Sequence, residues 1–234
     1  MADTGVLRVP EATGTPAAPA ELAAIIERYC GVDGLVETCV PGLAFYRATS
    51  TGGPVCSMYA AVLAIYAQGA KRVSLGDEAY VCDNRHYLVT SVDLPVEAQV
   101  IAASPAAPLL CCVLHLDARK IAALLSEIGP QAGTPPALVR GIGVGRLTPD
   151  LADPVLRLAR LAEAPADVAV LAPLVEREIL YRLLCGELGA RLRHIVGADG
   201  QGHRVARAID WLKAHYAEPL AIDALADAVN MSKS

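Results

Sequence analysis

The chain has 234 residues, 54% hydrophobic and only 4% aromatic, with a formal net charge of -5. That is enough apolar material for one or two globular domains with a sizeable core, and it excludes an intrinsically disordered chain. The acidic balance excludes a chain-wide basic footprint for nucleic acid. No apolar run reaches the roughly 18 residues of a membrane span, and the N-terminal stretch lacks the basic and apolar regions of a signal peptide, so a cytoplasmic protein is expected.

Residues 1–18, rich in Ala, Pro, Thr and Gly, read as a mobile arm. In "PAELAAIIERYCG", Leu22, Ile25, Ile26 and Tyr29 recur at helical spacing, and Gly31 is positioned to end the helix with a positive φ. From about Asp33 to His115, short segments rich in Val, Tyr and Thr alternate with turns, the texture of a sandwich or small barrel. "KRVSLGDEAYVCD" predicts a hairpin turning at Gly76 and Asp77. "CSMYAAVLAIYAQG" has no polar face and reads as one central strand, buried on both sides or lining an enclosed cavity.

Past Leu116 the pattern turns helical. "LDARKIAALLSEIG" predicts a helix capped by Asp117, and "GTPPALVRGIGVGRLTP" a loop. "DLADPVLRLARLAE" predicts a helix with Pro154 in its first turn. In "ADVAVLAPLVEREILYRLLCGELGARLRHIVG", Leu171, Val175, Ile179 and Leu183 repeat every fourth residue, with Leu180 and Leu184 widening a face that requires a partner surface. Glu176, Arg177, Glu178, Arg182, Arg191 and Arg193 read as the solvated side of that run. In the tail, Val205, Ile209, Leu212 and Tyr216 form one helical face, Glu218 and Pro219 break it, and Ile222, Leu225, Ala226 and Val229 form a second. Asn230 then suits a tight turn and Ser232 an N-cap, which together read as the front half of a helix-turn-helix.

The stretches "VPGLAFYRATS", "YAQGAKRVSLGDEAYVCDNRHYLVTSVDLPV", "ASPAAPLL", "LAPLVEREILYRLLCGELGARLRHI" and "RAIDWLKAHYAEPLAIDALADAVNMSKS" carry a resemblance that covers nearly everything from residue 40 onward. In them the chain resembles bacterial transcription regulators of the AraC type. The resemblance implies an α+β fold: a cupin-like β-barrel (double-stranded β-helix) that binds an effector, a helical linker that dimerises, and a DNA-binding domain of two helix-turn-helix units. It divides the chain into a flexible arm (1–18), a barrel with flanking helices (19–140), a dimerisation linker (141–200) and a partial helix-turn-helix (201–234). Leu171, Val175, Ile179 and Leu183 become the expected homodimer contacts, and Asn230, Ser232 and Lys233 the DNA-contacting remnant. The base-reading helix expected from Ser232 is not in this sequence, and between Gly202 and Ser234 four basic side chains face four acidic ones. DNA binding is therefore expected only of a chain extended beyond Ser234.

The remaining motifs narrow the chemistry. Seven cysteines, an odd number without C-x-x-C spacing, argue against a disulfide framework or structural zinc. A cupin metal site needs paired histidines with a carboxylate, whereas His86 and His115 each stand alone, so no metal or other cofactor is expected. "GIGVG" lacks the strand before and helix after that a phosphate loop requires, and no nucleophile motif is present. Adjacent Cys111 and Cys112 point to opposite faces of a strand, one of them into the barrel. A thiol there, Cys112 with Cys56 and Cys82 as the other candidates, either traps an electrophilic effector or serves as a small hydrophobe. Tyr59, Tyr66, Tyr80 and Tyr87 lie on predicted barrel strands, and Tyr59, Tyr66 and Tyr87 are the candidate effector contacts. On an unbroken strand Tyr59 and Tyr66 would face opposite ways, which ranks Tyr59 and Tyr87 ahead. The resulting expectation is a non-enzymatic, ligand-responsive regulator that binds a small-molecule effector and forms a homodimer. The alternatives are a cupin-fold enzyme with a helical appendage and a truncated dimerisation partner of a full-length regulator.

Overall fold

Period-two alternation over short runs builds most of the observed architecture, and the helices follow from the apolar stripes that cover it. The computed structural model describes residues 17–129 and 141–196, together with 208, 211, 212, 214–216 and 222–229. Helix α1 (Ala17–Tyr29) buries Leu22, Ile25 and Ile26 as its spacing predicts. The left-handed residue that follows is Gly34 (φ 127°), not Gly31, so the chain turns into the sheet later than expected.

Among the described residues ten strands follow: β1 (Gly34–Glu37), β2 (Leu43–Ala48), β3 (Val55–Tyr59), β4 (Val62–Gln68), β5 (Ala70–Leu75), β6 (Glu78–Cys82), β7 (His86–Thr90), β8 (Leu94–Ala102), β9 (Leu109–His115) and β10 (Ile142–Arg146). They form two antiparallel sheets, one ordered β1-β2-β9-β4-β7-β10 and the other β3-β8-β5-β6. The β5–β6 hairpin turns at Gly76 and Asp77, with Leu75 opposite Glu78 and Gly76 at φ 61°, as the turn residues predict.

The strands depart from expectation in two places. "CSMYAAVLAIYAQG" is not one strand: it breaks at Ala60 and Ala61, because β3 and β4 belong to different sheets. The fully buried Thr90 hydroxyl secures the break, donating to the Ala60 carbonyl (2.5 Å) and accepting from the Val62 N–H (3.1 Å). The predicted loop after α2 contains β10, which pairs with β7 in the register Gly145 to Tyr87. Gly145 permits that pairing, since a Cβ there would lie 2.5 Å from the Tyr87 ring. The barrel therefore extends past residue 140, and a boundary at 140/141 would cut β10 away; residues 133–140 of that loop lie outside the described residues.

Alternation divides β2, β4, β7 and β9 of the larger sheet between two cores. Leu43, Phe45, Leu63, Ile65, Val89, Leu110 and Leu114 face outward beneath the helices, while Tyr46, Ala64, Tyr66, Leu88 and Cys111 face the smaller sheet. Gly69 (φ 77°) carries the chain from β4 into β5 where any side chain would strike the Ala102 carbonyl (2.6 Å) and the Leu109 Cα (2.8 Å).

Helix α2 (Ala118–Ile128) is capped as predicted, the Asp117 carboxylate accepting from the Arg119 N–H at 2.8 Å. Helix α3 (Pro149–Arg160) starts at Pro149 behind Thr148, so Pro154 sits in its interior rather than its first turn. Helix α4 (Pro165–Cys185) packs on α3, and α3 on α1, which lies across β2, β9 and β4. Helices α5 (Gly189–Val196) and α6 (Ile222–Val229) complete the described elements. Arg28 pairs with Glu163 (2.9 Å) and Arg160 with Glu21 (2.7 Å), joining α1 to the α3 end of the helical layer. These exposed pairs contribute at most about 1 kcal/mol each, so the apolar contacts beneath them carry the packing. Among the described residues, no helix is long and apolar enough to cross a membrane.

Candidate functional site

The inner faces of the two sheets do not close on each other. Between them lies a cavity of about 610 Å³, within the usual range for small-molecule sites. Small side chains leave the space: Ala48, Ala64 and Ala98 stand at inward positions where a branched residue would fill it. The larger sheet supplies Tyr46, Tyr66, Cys111 and Val113, and the smaller sheet Ser57, Tyr59, Lys71 and Val100. Leu35, Val55, Met58 and His115 edge the cavity, with Asp33 and Arg47 beside them. Arg47 is ion-paired to Asp33 at 2.5 Å. The Thr49 hydroxyl and N–H also donate to Asp33, at 2.6 and 2.8 Å, and these hydrogen bonds hold its carboxyl below the usual carboxylate range.

Lys71 projects into the cavity from β5, two positions before the buried Val73 on the same face. Its Nζ lies 4.7 Å from the centroid of the Tyr46 ring and 5.5 Å from that of Tyr59. Such ring faces attract a cation by roughly 0.5–2 kcal/mol, increasing with desolvation. Burial raises the pKa of Tyr59 and raises that of Tyr66 well above the ordinary phenol value, so both remain protonated donors at neutral pH.

The thiols are inert by the same physics. Burial pushes Cys111 up to about 12 despite the opposing pull of Lys71, and it raises Cys82 and Cys112 as well. Capture of an electrophile requires a thiolate, which these sites disfavour, so the small-hydrophobe reading fits them.

Of the sequence-predicted contacts, Tyr59 and Tyr66 both line the cavity, because the break at Ala60 and Ala61 resets the alternation between them. Tyr87 does not. It lies on the outer face of β7 under the helices, its ring against Gly145 and its hydroxyl hydrogen-bonded to the Leu188 backbone; burial is the main cause that pushes it up to about 12. Cys112 likewise faces outward, opposite Phe45 and Ile65 in the register, and Cys111 is the member of the pair that reaches the cavity. Cys56 is exposed on the outer side of the smaller sheet, and Cys82 is buried in the inner core without lining the cavity. Sequence reasoning missed Lys71 and Tyr46, although Lys71 stands two positions before Val73 and Tyr46 two before Ala48 on their strands.

The expected dimer stripe is also corrected. Val175, Ile179 and Leu183 are buried in the chain's own helical core, and of the four only Leu171 is exposed. Glu176, read as solvated, is buried and held by Lys120 at 2.6 Å. The apolar residues that α4 exposes are Val170, Leu171, Leu174 and Tyr181. Asn230, Ser232 and Lys233 lie outside the described residues. Among the described residues no three His, Cys, Asp or Glu side chains converge as a metal site; His86 Nδ1 instead engages Asp83 at 2.7 Å.

Comparison with known proteins supplies the family. The model for the AraC-type transcriptional regulator N-terminus matches residues 39–191, well over half of the chain. Comparison with curated proteins finds no match. Among solved structures, the chain is similar to ToxT from Vibrio cholerae O395, with a TM-score of 0.51 and 8% identity over 82% of this chain and 70% of that one. It is similar to unsaturated fatty acid bound wild-type ToxT from Vibrio cholerae strain SCE256, with a TM-score of 0.54 and 6% identity over 82% and 69%. It is also similar to ToxT from Vibrio cholerae O395 bound to (E)-4-(8-methylnaphthalen-1-yl)but-3-enoic acid, with a TM-score of 0.55 and 6% identity over 82% and 72%. At these identities the likeness establishes a shared fold, the α+β class with a cupin-like pair of antiparallel sheets that the sequence implied. Through the family match, the chain belongs to the AraC-type transcriptional regulators, of which it carries the N-terminal region.

Proposed function

We propose that this chain is the sensing portion of a cytoplasmic transcription regulator, which binds a small-molecule effector between its two sheets and breaks no bond in it. The observation that carries the reading is the cavity of about 610 Å³, apolar over most of its wall, with a few polar groups directed inward. The ToxT structures with a bound fatty acid and a bound butenoic acid support it, since a protein of this fold accommodates small organic molecules. Effector binding acts by favouring whichever arrangement of sheets and helices holds the effector more tightly, and a linked DNA-binding unit reads that arrangement.

The chain acts as a homodimer through the exposed side of α4. Val170, Leu174 and Tyr181, exposed by 69%, 62% and 44%, offer the apolar stripe that a second copy would cover. The test is a small-molecule screen by thermal shift on the purified chain, repeated on Ala64→Phe and Val100→Trp, which fill the cavity from opposite sheets. Binding lost in both variants supports the site. Hits that bind both variants as well as the parent would refute it.

A further inference from the structure

The polar lining of the cavity specifies the chemical class of its ligand, an inference that rests on the effector-site reading above. Four polar groups stand out among the lining residues, which also include Ser57: the Lys71 ammonium and the hydroxyls of Tyr46, Tyr59 and Tyr66. Among the described residues none of the four has a hydrogen-bond or ion-pair partner. Outside the cavity, the Tyr80 hydroxyl donates to Glu78 at 2.5 Å.

The four groups also lie together. Lys71 Nζ is 4.7 and 5.5 Å from the Tyr46 and Tyr59 ring centroids, and Tyr46 and Tyr66 flank Cys111 from the strands on either side of β9. Of the two Lys and Arg side chains that line the cavity, Arg47 pairs with Asp33, the lining carboxylate, through one Nη while its buried Nε is unpartnered; Lys71 has no anion. A half-buried ammonium over two ring faces, with hydroxyls nearby that can donate and apolar walls beyond, is complemented by an anionic acceptor. An ionised carboxylate does this and neutralises the single charge. An amine would add a like charge, an alcohol would leave the ammonium unpaired, and a dianion would bring one charge too many.

We propose that the effector is a monocarboxylate with an apolar body, its carboxylate seated on Lys71 beside Tyr46 and Tyr59 and its body against Ala64, Ala98, Val100 and Val113. Lys71 is thereby the specificity-determining residue of the cavity.

The test uses three probes with one body, 4-phenylbutanoate, 4-phenylbutanol and 4-phenylbutylamine, titrated calorimetrically at neutral pH. The proteins are the parent chain, Lys71→Met, which keeps the apolar stem, and the blocked variants Ala64→Phe and Val100→Trp. The expected order is acid over alcohol by about tenfold or more, with the amine weakest. Lys71→Met should lower acid affinity by about tenfold and leave the alcohol within about twofold. Equal binding of acid and alcohol to the parent, or undiminished acid binding by Lys71→Met, overturns the proposal; if the blocked variants still lose those probes, the cavity remains the effector site. Probes that bind the blocked variants as well as the parent, or no binding of any probe, overturn both.

Discussion

Replacing Thr90 by Val tests whether one hydroxyl holds the β3–β4 break and, through it, the cavity. The side chain is fully buried, and its hydroxyl bonds both the Ala60 carbonyl and the Val62 N–H. Valine nearly conserves the shape and removes both interactions, leaving a buried donor and acceptor without that partner. Each such orphaned group costs roughly 1–3 kcal/mol, so the loss should be about 3 kcal/mol, a large share of a stability that is typically only about 5–15 kcal/mol. For a chain of this size that is a fall of roughly 6–12 °C in Tm. Urea unfolding of the parent, Thr90→Val and Thr90→Ser supplies the comparison. Serine keeps the hydroxyl and loses only a methyl group, at about 1 kcal/mol. Because the same hydroxyl sets the path of the chain after Tyr59, Thr90→Val should also weaken ligand binding more than Thr90→Ser does. Equal stability of the Val and Ser variants would refute the assignment, since the hydroxyl would then contribute nothing that packing does not.

Other consequences of the fold can be read in the same way. Gly145→Ala drives a methyl group into the Tyr87 ring and should cost about 1–3 kcal/mol in urea unfolding, with Tyr87→Leu in the same chain recovering part of it. Ile179→Ala, in the helical core, should cost about 2–5 kcal/mol. Leu174→Ser, on the exposed side of α4, should change stability by less than about 0.5 kcal/mol yet weaken self-association in sedimentation equilibrium. Brief native maleimide labelling followed by mass spectrometry should modify Cys39, Cys56 and Cys185 and spare Cys30, Cys82, Cys111 and Cys112. Cys111 is raised from 9.0 to about 12 in the folded chain, so above pH 9 the unfolded chain releases a proton that the folded one retains. Its contribution to stability is full below about pH 9 and declines as pH rises from there to about 12, and Cys111→Ala should flatten the stability profile over that window.

The strands, the β5–β6 turn and the Asp117 cap were legible because each depends on a local pattern: alternation, a Gly-Asp turn, a carboxylate ahead of an apolar run. The cavity was legible only as a compartment. Tyr59 and Tyr66 were assigned to opposite faces because Ala60 and Ala61 carry no turn signal, and the break they make is held by Thr90 from another strand. Cys112 was preferred to Cys111 because alternation says that two neighbours differ and not which one faces inward. Tyr87 was misassigned for the same reason: its register is set by β4 and by β10, a glycine-containing strand that composition disguised as a loop. On α4 the widest apolar stripe went to the chain's own core, leaving exposed the narrower stripe that sequence spacing did not single out.

The alternation of β2, β4, β7 and β9 has a consequence for how this protein changes over time. Each of these strands carries two texts in interleaved letters, one written for the helices and one for the ligand compartment. Substitutions can revise either text alone: Tyr46, Ala64 and Cys111 can be exchanged to admit a different molecule while Phe45, Ile65 and Cys112 keep the scaffold intact. A single-residue insertion or deletion within a strand cannot, because it transposes the two and delivers Phe45 to the cavity and Tyr46 to the helices. Diversification of ligand preference should therefore proceed by replacement within strands, with length variation confined to the turns, such as residues 50–53 beside the cavity.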